Sequence, residues 1–271
     1  MKRQWYATPY ALWMLLFTIV PLLFVVYYAF SDGNGGFTTV NFLRILQPGY
    51  LPVLLTSLKL ALYCTVICLL IGYPTAYFLA SRDFSANKIL VVLILLPMWM
   101  NFLLRTYAMM TILENNGLLN TLFEKIGLPK VQFIGTEGAV LLGMVYNYLP
   151  FMVFPIYTVL SKQDPKLGEA AQDLGCNEMR TFTRVTLPLS LPGVISGITM
   201  VFMPSVTTFF IPRMLGGGNS MMFGDLIESK FLTEGSWNVG SALSLIMMLL
   251  ILLSLSILRK ADPNGEGGGM V

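Results

Sequence analysis

The side chains with which this chain could do chemistry are few, and their types point away from catalysis. There is no histidine, so both the commonest general base and the commonest metal ligand are missing. Cys64, Cys68 and Cys176 have no companions at metal-ligand spacing. Cys64 and Cys68 stand one helical turn apart in an apolar run, where they read as small core residues and not as a redox pair. No G-x-S-x-G is present and no G-x-x-x-x-G-K-[ST]. The run Gly216-Gly217-Gly218-Asn219 lacks the lysine a phosphate loop needs, and it reads as a mobile loop. No catalytic residue, metal site or cofactor is expected. What remains is polar recognition, by Asn101 and Arg105 inside an apolar run and by a charged stretch over residues 164–193.

The elements that carry these residues are set by composition. Hydrophobic residues make up 55% of the 271 and charged ones only 11%, far from a soluble domain. The apolar residues fall in blocks near the length a helix needs to cross ~30 Å of hydrocarbon. Six spans are predicted, over residues 9–30, 54–80, 89–113, 138–161, 190–212 and 239–258. The fold class is therefore all-α, a polytopic membrane protein. The first span follows two basic residues as a signal peptide would. Its apolar run is too long for a signal h-region, and despite the faint cleavage pattern Ala29-Phe30-Ser31 it is expected to be retained. The tail ADPNGEGGGMV reads as disordered.

Orientation follows from the basic residues. With the N-terminus in the cytoplasm, that side receives Lys2, Arg3, Arg82, Lys88, Lys162, Lys166, Arg180, Arg184, Arg259 and Lys260, which is ten of 17. Both termini and the 164–193 stretch then face the cytoplasm. The net charge of +3 is spread along the chain and gives no nucleic-acid footprint, and membrane lipid is the expected surround.

Within the charged stretch, Asp164-Pro165 is a helix start, an N-cap acceptor followed by proline at the first position. Leu167, Ala170, Ala171 and Leu174 recur at helical spacing as one apolar stripe, while Glu169, Gln172 and Asp173 face elsewhere. Gly175 interrupts, Asn177 can cap a second helix, and Met179, Phe182 and Val185 continue an apolar face up to Pro188. A helix lying flat on lipid favours Trp, Phe and Leu with a basic opposite face. This stripe has two alanines and an acidic flank, which suits close docking of another protein's backbone.

The spacing E169-A-A-x3-G175-x9-V185-x-L187-P188 resembles the cytoplasmic EAA loop of ABC-importer permeases, with Val in place of the usual Ile at 185. The resemblance covers roughly residues 53–259 and implies the six-helix, type I ABC-importer permease fold. It divides the chain into an N-terminal helix and outer loop (1–52), a permease core (53–259) and a cytoplasmic tail (260–271). It further implies that the loop inserts into a groove on a separate ATP-binding subunit, present in two copies. Glu169, Ala170, Ala171, Gly175, Leu187 and Pro188 are the coupling positions, with Gly175 setting an elbow and Ala170 and Ala171 allowing close contact. Several stretches are similar to the spermidine/putrescine permease subfamily: LLIGYPTAYFLA, LPMWMNFLLRTYA, NYLPFMVFPIY, EAAQDLG and FFIPRMLGGGN. That similarity implies polyamine uptake across a bacterial inner membrane. It also implies a second, related permease chain and an extracytoplasmic polyamine-binding protein.

A polyamine passage calls for aromatic faces and carboxylates. Trp99, Tyr107, Tyr146, Tyr148, Phe209 and Phe210 can supply rings, with Asn101, Asn147 and Thr207 as polar companions. Acids lie only near the outer mouth, at Glu114, Asp225, Glu228 and Glu234. Asn101 and Arg105 are expected on one face of a continuous third span. There Arg105 either lines an aqueous path or snorkels, about 24 Å along the helix from Ile89. Pro204 is expected near the middle of span five, freeing a carbonyl around Met200. The readings that compete with this one are an ABC permease for another small solute and an ATP-independent secondary transporter, which would need an acidic relay within the spans.

Overall fold

The computed structural model describes residues 8–32, 36–81, 88–218 and 220–261. The expectations placed on Lys2, Arg3, Arg82, Asn219 and the tail beyond Ala261 lie outside them. The described residues are helical throughout their regular structure, apart from one isolated bridge between Ser31 and Phe37. Five helices are long and apolar enough to cross a membrane, and a sixth span forms if one bent pair is counted together.

The first span comprises α1 (Thr8–Met14), a π-helical turn (Leu15–Ile19) and α2 (Val20–Ala29). A short α3 (Val40–Leu43) follows. Then come α4 (Tyr50–Ala80), α5 (Lys88–Trp99), α6 (Phe102–Leu113) and α7 (Leu118–Lys125). The fourth span is α8 (Glu137–Leu160). The charged stretch forms α9 (Pro165–Asp173) and α10 (Glu178–Thr181), and leads through a second π turn (Phe182–Thr186) into α11 (Leu187–Thr207). The chain ends with α12 (Phe210–Leu215), α13 (Phe223–Leu232) and α14 (Trp237–Ala261).

The centre is α8, packed along both α4 and α11. Lipid tails are as apolar as leucine, so close packing and not water exclusion must hold such helices together. The sequence provides for it with small residues. A Cβ on Gly72 of α4 would stand 2.9 Å from Met152 Cγ, and one on Gly193 of α11 would stand 2.9 Å from the Pro155 carbonyl. Cys64 and Cys68 face this core fully buried and unoxidised, their sulfurs 4.0 Å apart, as small core residues should. The long exposed leucines of α2, α4 and α14 face outward, as in a helix surrounded by lipid.

The first span rests on the rest of the protein through α14, where Ala29 meets Ala242 and Leu245. Its C-terminal end is tied by side-chain amides. Asn41 Nδ2 donates to the carbonyls of Ala29 (3.0 Å) and Ser31 (2.9 Å), and Asn238 Nδ2 donates to that of Ser31 (2.6 Å).

Two expectations about the spans are corrected. The third is not one continuous helix: α5 and the α6–α7 arm meet at a bend of 93° across Met100 and Asn101. Asn101 therefore does not share a helix face with Arg105. Its side chain caps α6, accepting from the backbone N–H of Leu103 at 2.8 Å and of Leu104 at 3.4 Å. An Asn oxygen that satisfies orphan N–H groups starts a new helix where the apolar pattern alone suggests continuation. The fifth span ends earlier than expected, so Pro204 lies in its last turn and not near its middle. The Gly216–Gly218 stretch is a turn packed against Gly135, with positive φ at Gly217 and Gly218.

Candidate coupling segment and membrane path

Asp164 accepts from Lys166 N–H at 3.0 Å and Pro165 opens α9. The helix closes in a left-handed turn, with Gly175 at φ +87°. There Gly175 N–H donates to Gln172 (2.8 Å) and Cys176 N–H to Ala171 (3.0 Å). This is the Schellman pattern, which a residue with a Cβ adopts only under strain. Asn177 then accepts from Arg180 N–H at 2.9 Å and starts α10. The elbow between two short helices is thus built from one N-cap, one glycine and a second N-cap.

The stripe faces outward from the chain. Leu174 is 87% exposed, Met179 69% and Leu167 48%, while Glu169 and Ala170 are exposed and Ala171 is half-buried. Leu187 is half-buried and Pro188 exposed, in the first turn of α11. Exposed apolar side chains on a segment with charged neighbours are of the kind that mark an interaction surface.

The expected path residues are only partly gathered. Tyr107 lies edge-on to Phe210 with centroids 5.8 Å apart, and Phe102 joins them at 6.1 Å. Tyr148 is buried, and its hydroxyl donates to the Pro204 carbonyl at 3.4 Å, near the break after Thr207. Thr207 Oγ1 donates back to the Met203 carbonyl at 3.2 Å. Tyr146 and Phe209 are about half exposed, and Trp99 at the end of α5 is 91% exposed, apart from the other rings. No single aromatic box forms within this chain's described residues.

Arg105 does not snorkel. It is 4% exposed, beside the neutral phenols of Tyr146 and Tyr148, and its Nε and Nη1 have no hydrogen-bond partner among the described residues. Because the third span bends by 93°, the rise expected along a straight helix from Ile89 does not apply to Arg105. Asn147 is also buried; its Nδ2 donates to the Gly143 carbonyl at 2.9 Å and its Oδ1 has no partner among the described residues.

Two of the four acids expected near an outer mouth are held in ion pairs. Glu228 receives Arg213 Nη1 on both carboxylate oxygens, at 2.7 and 2.6 Å, and Glu234 pairs with Lys230 at 2.6 Å. Asp225 and Glu228 share a cavity of about 160 Å³ with Arg213. Burial raises the Asp225 carboxyl above its ordinary range, Glu228 adds to the rise and Arg213 opposes it. Sequence reasoning missed the Arg213–Glu228 pair because fifteen residues separate the partners and only the turn between α12 and α13 joins them. It also missed Lys59–Glu137 (2.7 Å), which links the N-terminal parts of α4 and α8.

Residues 69–264 match the family model described as binding-protein-dependent transport system inner membrane component. The chain is 36% identical to the spermidine/putrescine transport system permease protein PotB of Haemophilus influenzae, over 92% of this chain and 90% of that protein. It is 35% identical to PotB of Escherichia coli, over 92% and 94%. Its fold is shared with a chain from a bacterial ABC transporter that imports the acidic polysaccharide alginate, at 19% identity and a TM-score of 0.75, covering 96% of both. A second structure of a bacterial alginate transporter, in complex with a periplasmic protein carrying an alginate pentasaccharide, gives a TM-score of 0.76 at 19% identity, over 98% of this chain and 95% of that one. With the type I ABC-importer permease fold and this family's sequence along most of its length, the chain belongs to the binding-protein-dependent transport system inner membrane components, the non-catalytic permease subunits of ABC importers.

Proposed function

We propose that this permease takes up polyamines of the spermidine/putrescine type. The observation that carries the solute class is the identity of 35–36% to two spermidine/putrescine permeases over nearly the whole chain. In this reading an extracytoplasmic polyamine-binding protein delivers the solute. A second, related permease chain completes the path, and two ATP-binding subunits grip the α9–α10 elbow. Glu169, Ala170, Ala171, Gly175, Leu187 and Pro188 are the coupling residues. The basic residues Lys162, Lys166, Arg180 and Arg184 around the elbow support a cytoplasmic position for it, with both termini on the same side.

ATP-bound partners must favour one arrangement of the spans over another, since only differential affinity shifts such an equilibrium. The solute path runs past Trp99, Arg105, Tyr107, Tyr146, Asn147, Tyr148, Thr207 and Phe209, with Asp225 near its outer mouth and Asn101 holding the bend in place. The chain's division into 1–52, 53–259 and 260–271 belongs to the same proposal.

The test uses the chain purified in mild detergent with its associated chains, reconstituted in vesicles. Saturable, ATP-dependent accumulation of labelled putrescine or spermidine is expected. Accumulation driven by an ion gradient without ATP, or ATP-driven accumulation of other solutes with polyamines excluded, would overturn the proposal.

A further inference from the structure

The coupling reading leaves one question open on the inner side of the membrane: by what contact does a displaced elbow move the spans? Helix α9 touches the π turn Phe182–Thr186, and α10 runs directly into it. The proline that follows the π turn suits it. Pro188 has no N–H with which to close an α-helical turn on Arg184, and its ring crowds the carbonyl of that residue. A widened turn two residues ahead of the proline relieves both. The same spacing recurs in the first span, where the π turn Leu15–Ile19 stands two residues ahead of Pro21.

At its first residue this widened turn presents Phe182 to α4. Tyr73 and Tyr77, four apart and hence on one face of α4, receive that ring edge-on: centroids 5.9 Å away at 83°, and 5.5 Å away at 86°. Edge-to-face geometry is favourable because the positive ring edge meets the negative ring face. Two turns further along, the joint is pinned by a hydrogen bond. Tyr73 Oη lies 2.9 Å from Ser190 Oγ, and that hydroxyl also donates to the Leu187 carbonyl at 2.9 Å. Ser190 is fully buried, so this bond competes little with water. The Tyr73–Phe182–Tyr77 clasp is the ring cluster that joins α4 to the segment leading out of the elbow.

We infer that Tyr73, Tyr77 and Phe182 are positioning residues for transport: they clasp α4 to the π turn so that displacement of the elbow carries the second and fifth spans together. The inference rests on the coupling reading above and names the residues through which it acts. This role requires none of the three to touch solute or nucleotide. Their role is to keep the two spans in register with the motor.

The experiment uses the whole importer in vesicles, reading solute imported per ATP hydrolysed. Phe182→Ala should leave ATP hydrolysis within about twofold of the unaltered importer and lower the transport-to-hydrolysis ratio at least fivefold. Phe182→Tyr, which restores a ring, should recover most of the ratio, and Tyr73→Phe, which removes only the hydroxyl, should give an intermediate value. If Phe182→Ala does not assemble, Tyr77→Ala takes its place, because it removes one of the two ring contacts and leaves the π turn itself intact. A ratio unchanged in the alanine variant, or a ratio lowered equally by Phe182→Tyr, would overturn the clasp. Should the unaltered importer itself show no ATP-driven uptake, the coupling reading fails and not merely the clasp.

Discussion

Gly197 of α11 meets Met152 of α8 so closely that a Cβ on the glycine would lie 2.7 Å from the Met152 sulfur and 3.2 Å from its carbonyl oxygen. Gly193, one turn earlier on the same face, lies against the Pro155 carbonyl and the Ile156 Cα in the same way. Small residues four apart are how a helix approaches another in lipid, where packing is the main source of attraction. The thioether at Gly197 can move aside; the backbone at Gly193 cannot. Gly193→Ala should therefore push α11 off α8 and destabilise the chain by about 1–3 kcal/mol. Gly49→Ala, at a site with open space around it, should leave the melting temperature in detergent unchanged. Equal melting of the two variants would show that α8 and α11 can part without cost.

Gly175 is a different kind of glycine. Nothing lies within 4 Å of its missing Cβ, so bulk is tolerated, but its φ of +87° is not tolerated by L side chains. Gly175→Ala should cost the elbow about 1 kcal/mol of local conformational preference. On the proposed coupling, it should lower uptake while the chain continues to reach the membrane at normal levels. The check is quantitative immunodetection in membranes beside an uptake assay. Loss of both together would place the defect in folding instead of coupling.

Asp225 predicts a pH dependence whose sign can be worked out. Burial raises its pKa in the folded chain, so the folded state holds that proton more tightly than the unfolded one, whose carboxyl titrates near ~3.9. The proton's contribution to stability is thus complete below the unfolded value and is lost as pH rises through the folded value. Asp225→Asn removes the cost of the buried charge. The variant should melt higher than the unaltered chain at neutral pH, and the difference should vanish toward pH 4. If Arg213 instead held Asp225 as tightly as it holds Glu228, the variant would melt lower at neutral pH.

Much of this could be read from the residues because lipid reduces the sequence to few choices. Apolar blocks near twenty residues become spans, and the observed edges of α4, α8 and α14 lie within about four residues of the predicted ones. The elbow was legible because each of its parts has a local cause: Asp164, Pro165, Gly175 and Asn177 act through hydrogen bonds to neighbours a few residues away. The break in the third span was not legible. Asn101 looks the same in sequence whether it faces a path or caps a helix, and the choice rests on a bend set by packing against α8 and α12. The clasp was hidden for a related reason. More than a hundred residues separate Tyr77 from Phe182, and a ring that packs carries no mark that tells it from a ring that binds.

Arg105 gives the last test, because the break alters what its burial implies. Two nitrogens of this guanidinium are buried without a hydrogen-bond partner among the described residues, so their desolvation costs free energy that no bond there offsets. Replacing it with a side chain of similar length and no charge removes that cost. Arg105→Met should therefore melt at the same temperature as the unaltered chain or higher when the chain is purified alone. In the assembled importer the outcome separates two situations. If melting is again unchanged or raised, the charge has no partner anywhere and is retained for transport, so uptake should suffer although stability does not. A melting temperature lowered in the importer but not in the lone chain would mean that another subunit supplies an acceptor to Nε and Nη1. A large loss in the lone chain would contradict the burial of an unpaired charge and sink the argument at its first step.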